Sequence, residues 1–293
     1  MDTPRRMPLG TQDFELLRSN GDLYVDKTQY IEKLFALGRV FFLSRPHRFG
    51  KSLFLSTLKA YFEGKKELFD GLYIAKVETE LARQQKREPW EARPVLYFDL
   101  NAKVYDDKEA LRTRLSQQLL KHEQLYSVTQ RSNDPDDRLV DLVTTLYQKT
   151  GKRVIILVDE YDKPLLETIE NEELNQANRA TLRAFYEVIK QCDGAIHFAL
   201  LTGITKFSKT TLFSSVNNLN DISLLDEFAG VCGFTEQELK QHLTPEIEAL
   251  AAAQKCSVEK TLETLKKKYD GYCFASSGEH VYNPFSLLNV LAN

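Results

Sequence analysis

The sequence predicts an α/β fold in which a parallel sheet carries helices on both faces. Three observations predict it. Four short segments, at residues 39–43, 95–100, 154–158 and 196–202, are apolar and rich in β-branched or aromatic residues. They alternate with stretches of helical periodicity, the pattern of strand–helix–strand units. Each is close to a continuous hydrophobic run, as parallel strands covered on both faces are.

Taken in order, the first strand (39–43) leads through a polar turn into a helix-like run beginning at Lys51. Residues 78–93 are polar, with Arg83, Lys86 and Arg87 among them, and read as a solvated helix end and loop. A second helix spans about 108–125. A third starts at Asp134-Pro135, where Asp134 can cap and Pro135 fits the first turn, and Gly151 ends it. A fourth runs over about 175–192. Beyond Gly233 the pattern changes to two amphipathic helices, at 235–253 and 258–269, the first opened by the capping box Thr235-x-x-Glu238. The expected organisation is a core over residues 1–232, including an N-terminal strap, and a C-terminal helical lid over 233–293.

Composition sets limits. The chain has 293 residues, 42% of them hydrophobic and 28% charged, which suits a globular protein able to bury a full core. The net charge of −3 gives no bulk attraction to nucleic acid or an anionic membrane, although a local basic patch stays open. Four cysteines without C-x-x-C spacing read as reduced packing thiols, and metal ligation by them is not expected. The N-terminus lacks an apolar signal segment, and no run approaches about 20 apolar residues. A cytoplasmic location is expected.

The first strand is followed by Ser44-Arg45-Pro46-His47-Arg48-Phe49-Gly50-Lys51-Ser52-Leu53. Gly-Lys-Ser between a strand and a helix is the setting of a P-loop. Backbone N–H groups at a helix N-terminus cradle a phosphate chain. Lys51 would reach the β- and γ-phosphates and Ser52 would ligate Mg²⁺. The pattern G-x-x-x-x-G-K-[ST] wants glycine where this chain has Arg45. The candidate nucleotide-binding residues are Arg45, Pro46, His47, Arg48, Phe49, Gly50, Lys51, Ser52 and Leu53.

The third strand ends in Asp159-Glu160, the arrangement of a Walker B segment. Asp159 would hold Mg²⁺ with Ser52, and Glu160 would orient and polarise the attacking water. Thr202, at the end of the fourth strand, is either a sensor of the water or γ-phosphate or simply the start of a turn. In folds with a Glu beside the Walker B Asp, that strand lies between the P-loop strand and the Walker B strand. Lys51, Glu160 and Thr202 are therefore the catalytic candidates. Lys206 or Lys209 would add positive charge to the transition state. An extra strand between the two Walker segments, and no Asn-Lys-x-Asp guanine motif, favour adenine. ATP with Mg²⁺ is the expected ligand.

With these residues in place, the chain resembles the AAA-ATPase-like family of bacterial proteins, many of which carry a C-terminal PD-(D/E)xK nuclease-like domain. The resemblance runs through Pro8 to Phe14, Tyr24-Val25-Asp26-Lys27-Thr28, the Ser44–Leu53 segment, and Asp159 to Pro164. It continues through Thr202 to Ser208, Gly233-Phe234-Thr235, Tyr269 to Tyr272, and Tyr282 to Phe285. It implies a P-loop ATPase core of the AAA type. It also implies that losing the first glycine is a family habit, since the family loop reads Arg-Pro-Arg-Arg-Phe-Gly-Lys-Ser. Here His47 replaces the second arginine of that loop, removing one permanent charge. Residues 24–28 either line the nucleotide pocket or act as a strap across the sheet edge. A nuclease-like effector domain would begin near Asn293, so nuclease chemistry is not assigned to these residues.

The leading expectation is an ATP-binding, slowly hydrolysing regulatory core, slow because no strong arginine finger is evident in the chain. A homo-oligomer would supply one from a neighbour, with Arg179 and Arg183 as the candidates. The alternatives are a nucleotide-binding scaffold without turnover, the ATPase part of a nuclease-linked DNA-processing protein, and a phosphotransferase with Asp162 as a base. The Glu-x-Lys matches at Glu63-Gly64-Lys65 and Glu238-Leu239-Lys240 fall on or beside predicted helices.

Overall fold

Alternation within the apolar runs builds the sheet. In the computed structural model, which describes residues 6–101, 104–205, 219–276 and 279–292, five strands form one sheet. They are β1 (Val40–Ser44), β2 (Val95–Asp99), β3 (Val154–Asp159), β4 (Ile196–Gly203) and β5 (Leu219–Asp221). The order is β2-β3-β4-β1-β5, with every pair parallel. β4 thus lies between the loop-bearing β1 and the carboxylate-bearing β3, as expected. The short edge strand β5, Leu219-Asn220-Asp221, carries too little apolar sequence to be foreseen.

Successive strand residues face opposite layers. Val40, Phe42, Ile156, Val158, Ala199 and Leu201 pack on one side with the helices Ala110–Leu125, Pro135–Thr150 and Glu172–Gln191. Phe41, Leu43, Ile155, Leu157, Phe198 and Leu200 pack on the other, with the helices Gln29–Leu37 and Lys51–Phe62. Asp159 and Thr202 continue the second set by register, so both lie on the face of the helix that follows the loop.

Local signals mostly act as the sequence implies. Gly151 ends its helix at φ 67°. Thr235 and Glu238 form a reciprocal capping box. Asp134 stands at the cap position without a side-chain cap bond and pairs instead with Arg112. The helix expected over 235–253 is two, Glu236–His242 and Thr244–Ala253, because Pro245 in the first turn of the second starts it afresh.

The polar segment 78–93 departs from expectation. Glu78 lies within the helix Tyr73–Gln84 and is fully buried. Its carboxylate accepts from Arg87 (2.6 Å), the Tyr61 hydroxyl (2.6 Å) and the Trp90 N–H (2.8 Å). Glu78 and Arg87 thus tie this loop to the core, while Arg83 and Lys86 are exposed at a helix end and loop, as expected.

The C-terminal segment is mainly helical, with helices at Val258–Tyr269 and Pro284–Ala292 after the two above, and it adds three short strands. These are β6 (Phe234–Thr235), β7 (Asp270–Cys273) and β8 (His280–Tyr282), in an antiparallel sheet of order β6-β8-β7. Leu23 and Val25 of the N-terminal strap share its core with Phe234, Leu239, Leu287 and Leu288. Lys27 reinforces the tie with 2.6 Å contacts to Glu238 and a 2.7 Å bond to the Gly230 carbonyl. Among the described residues, no helix is long and apolar enough to cross a membrane.

Candidate functional site

The loop between β1 and its helix is built by backbone conformations that few residues adopt. Arg48 has φ +64° and Gly50 φ +99°. Glycine suits the second position, since a side chain would be strained there. The Gly50 carbonyl accepts from Phe54 at 2.9 Å and so starts the helix. The N-terminal N–H groups of that helix lie at the end of the loop, the geometry that favours an anion.

Arg45 takes a different course from the one its place in the pattern suggests. It is buried, and its guanidinium turns away from the loop interior. It donates to the carbonyls of Ser223 (2.6 Å), Phe228 (3.0 Å) and Ser44 (2.9 Å), and lies 4.3 Å from the centre of the Phe274 ring. Of the expected nucleotide contacts, the structure gives the Arg45 side chain these protein partners instead, bracing the loop from behind. Pro46 likewise contributes its carbonyl rather than its ring.

Other loop residues reach the C-terminal segment. Phe49 is buried edge-on against Tyr272 (4.7 Å) and Phe274 (5.5 Å), and its carbonyl accepts from Gly233 at 2.9 Å. Arg48 stacks 4.2 Å over Phe285, in the last helix. The loop is thus held between the main sheet and the C-terminal module.

Lys51 is buried at the loop mouth. Its ammonium donates to the carbonyls of Arg45 (3.1 Å) and Pro46 (3.3 Å) and lies 3.2 Å from Glu160 Oε1. Glu160 follows β3 at φ +51°, which swings its side chain toward the loop. His47 stands 3.9 Å from the same Oε1. Burial pushes the Glu160 carboxyl above its usual range, while Lys51 pulls it back. Its Oε2 is buried without a hydrogen-bond partner.

Behind Glu160, Asp159 is gripped from both neighbouring strands. Oδ1 accepts from the Thr202 hydroxyl (2.7 Å) and the Glu160 N–H (3.1 Å), and Oδ2 from the Tyr97 hydroxyl (3.3 Å). Thr202, expected either as a sensor or as the start of a turn, donates its proton to Asp159 in this structure. The donors to Asp159 are neutral hydroxyl and N–H groups. The Asp159 oxygens, with Ser52 on the adjacent helix, fit a hard divalent cation.

Asp162 is held by the turn after β4. It is fully buried, and its Oδ2 accepts from the N–H groups of Ile204 and Thr205 and from the Thr205 hydroxyl. It organises the turn after β4 and does not serve an acceptor. Gly203 makes room for this, since a Cβ there would lie 2.5 Å from Asp162 Oδ1 and from the Tyr161 ring.

Loop and carboxylate open into one cavity of about 630 Å³, the size range of small-molecule sites. His47 through Leu53 and Glu160 contribute to its lining. Leu9, Val25, Phe234, Phe285 and Leu288 add apolar surface to the same cavity, Phe285 in contact with Arg48 of the loop. Tyr24, Val25 and Lys27 of the strap are at the wall, so this segment both straps the fold and lines the pocket. Asp159 and Thr202 stand outside the lining. Arg179 and Arg183 lie on the helix Glu172–Gln191, where Arg179 donates to Asn175 and Arg183 pairs with Glu187, and neither reaches the cavity. Lys206 and Lys209 fall outside the described residues. Both Glu-x-Lys matches are occupied elsewhere, Glu63 with Lys59 and Glu238 with Lys27.

Sequence reasoning missed Tyr97 and the cavity-lining Asn101. The signal for Tyr97 was slight: a polar hydroxyl inside an apolar strand, whose neighbour becomes known only with the sheet order.

Comparison with known proteins bears on the whole arrangement. The profile of a family described as "Predicted AAA-ATPase" matches residues 8–213. The chain is 38% identical over 288 residues to an uncharacterized protein in the vnfD 5′ region of Azotobacter chroococcum mcd 1. That match covers 97% of this chain and 51% of the relative, so the chain spans about half the length of the curated relative it matches. No solved structure matches. With a five-stranded parallel sheet of this order and a family profile over residues 8–213, the chain belongs to the AAA-ATPase-like family of predicted AAA-ATPases.

Proposed function

We propose that the chain is a cytoplasmic, Mg²⁺-dependent ATP-binding core that hydrolyses ATP slowly and reports its nucleotide state to the rest of a longer protein. One observation carries this reading. Lys51 and Glu160 meet at the wall of a cavity of about 630 Å³, backed by Asp159 and Thr202, and much of the remaining lining is apolar. A phosphate chain at the loop and an adenine against the apolar lining would use both kinds of surface.

In this reading the helix N-terminus and Lys51 neutralise the phosphates. Mg²⁺, held by Ser52 and Asp159, would supply charge compensation at the β- and γ-phosphates. Glu160 orients a water and accepts its proton. To do so it must exchange Lys51 for the water, which the incoming phosphates favour by recruiting the lysine. The reporting role is supported by Arg48, Phe49 and Arg45, which connect the loop to Phe285, Tyr272 and Phe274.

The test is nucleotide binding by calorimetry together with phosphate release, for wild type, Lys51→Ala and Glu160→Gln. Binding lost in Lys51→Ala, and turnover lost with binding kept in Glu160→Gln, support the proposal. Phosphate release no higher in wild type than in both variants removes the hydrolase part. Mg²⁺-ATP binding without turnover would favour a scaffold, a reading supported by the Lys51–Glu160 contact that occupies both groups here.

A further inference from the structure

We propose that Tyr97 is a positioning residue for the divalent cation, its hydroxyl holding the Asp159 carboxylate in the orientation that a nucleotide-bound cation needs. The inference rests on the nucleotide reading above. β2 and β3 pair in parallel with Tyr97 opposite Leu157 and Asp99 opposite Asp159. Tyr97 is therefore diagonal to Asp159 on one face of the sheet, within reach of a long side chain. That is the face covered by the helix carrying Ser52.

The two oxygens of Asp159 are held differently. Oδ1 has close donors in Thr202 and the Glu160 N–H, at 2.7 and 3.1 Å. Oδ2 has Tyr97 at 3.3 Å, a looser bond that leaves this oxygen the better ligand. Thr202 on β4 and Tyr97 on β2 together fix the carboxylate plane from both sides. Magnesium tolerates little distortion from octahedral geometry, so a ligand free to rotate binds it less well. Partners that orient a metal ligand commonly change affinity by about 10–100-fold. A 3.3 Å bond points to the lower part of that range.

The experiment is a Mg²⁺ titration of ATP binding in the full 293-residue chain, followed with a fluorescent ATP analogue, alongside binding in EDTA. Tyr97→Phe keeps the ring and removes the donor. The expected result is a Mg²⁺ midpoint about five- to tenfold higher, with metal-free affinity within about twofold of wild type. An unchanged midpoint, beside a wild type that does respond to Mg²⁺, overturns the inference. A wild type that binds no nucleotide under either condition overturns the nucleotide reading itself, a different result. A second arm is independent of any loss of stability. In an Asp159→Asn background, adding Tyr97→Phe leaves the midpoint unmoved if the tyrosine acts through Asp159, and an additive shift refutes it.

Discussion

Replacing Arg45 with glycine restores the usual first residue of a phosphate-binding loop, and the structure says this weakens the protein. Arg45 donates charged hydrogen bonds to the Ser223 and Phe228 carbonyls, at 2.6 and 3.0 Å, and stacks on Phe274 at 4.3 Å. A hydrogen bond to a charged group contributes about 1.5–3 kcal/mol, and a desolvated cation–π contact about 2 kcal/mol. Removing the guanidinium also recovers the several kcal/mol that its burial costs. A glycine in the loop adds roughly 0.5–1 kcal/mol of unfolded-state entropy. The balance is a loss of about 3 kcal/mol. For a chain of this size that is a fall in melting temperature of about 6 °C, at about 2 °C per kcal/mol. Thermal denaturation with and without Mg²⁺-ATP measures it, and Arg45→Lys should fall between the two, keeping the charge but losing the fork. An Arg45→Gly variant that melts within about 1 °C of wild type and binds nucleotide more tightly would refute the argument. Arg45 would then be an obstruction to the cradle rather than its brace.

Three further outcomes follow from the same geometry. Burial raises the Glu160 carboxyl, so a phosphate-release profile should lose activity on the acid side at a pH above the ordinary carboxylate value of about 4.3, and Glu160→Gln should lack that limb. The sign for stability is opposite: the folded state holds this proton more tightly than the unfolded one, so the contribution of Glu160 to stability falls as pH rises through its folded pKa. Gly203→Ala places a Cβ 2.5 Å from Asp162 and Tyr161, and urea denaturation should show a loss of about 2–3 kcal/mol. Arg87→Ala leaves Glu78 buried and unpaired and should cost about 3–5 kcal/mol by denaturation, with nucleotide affinity unchanged because neither residue lines the large cavity.

Much of the frame was legible because its signals are local. Four apolar runs and the helices between them gave the strands within a residue or two, since a strand buried on both faces needs a continuous hydrophobic segment. Gly50-Lys51-Ser52 and Asp159-Glu160 stood out because their roles depend on backbone shape next to them in the chain. Edge strand β5 and the small antiparallel sheet were not visible, being two to four residues per strand with no pattern of their own. Glu78 read as solvated because Tyr61 lies on another helix, and Arg87 and Trp90 reach back to it only when the loop after its own helix folds over.

The sequence by itself determined the α/β class and the place of the loop and carboxylate segments at the ends of their strands. Hydrophobic periodicity and backbone preference are properties of neighbouring residues, so they can be read along the chain. Only the tertiary structure decided where the polar side chains point. Arg45 faces Ser223, 178 residues away in sequence, and Thr202 and Tyr97 converge on Asp159 because β3 lies between β4 and β2. A buried polar group takes whichever partner packing brings within about 3 Å, and that choice belongs to the assembled sheet.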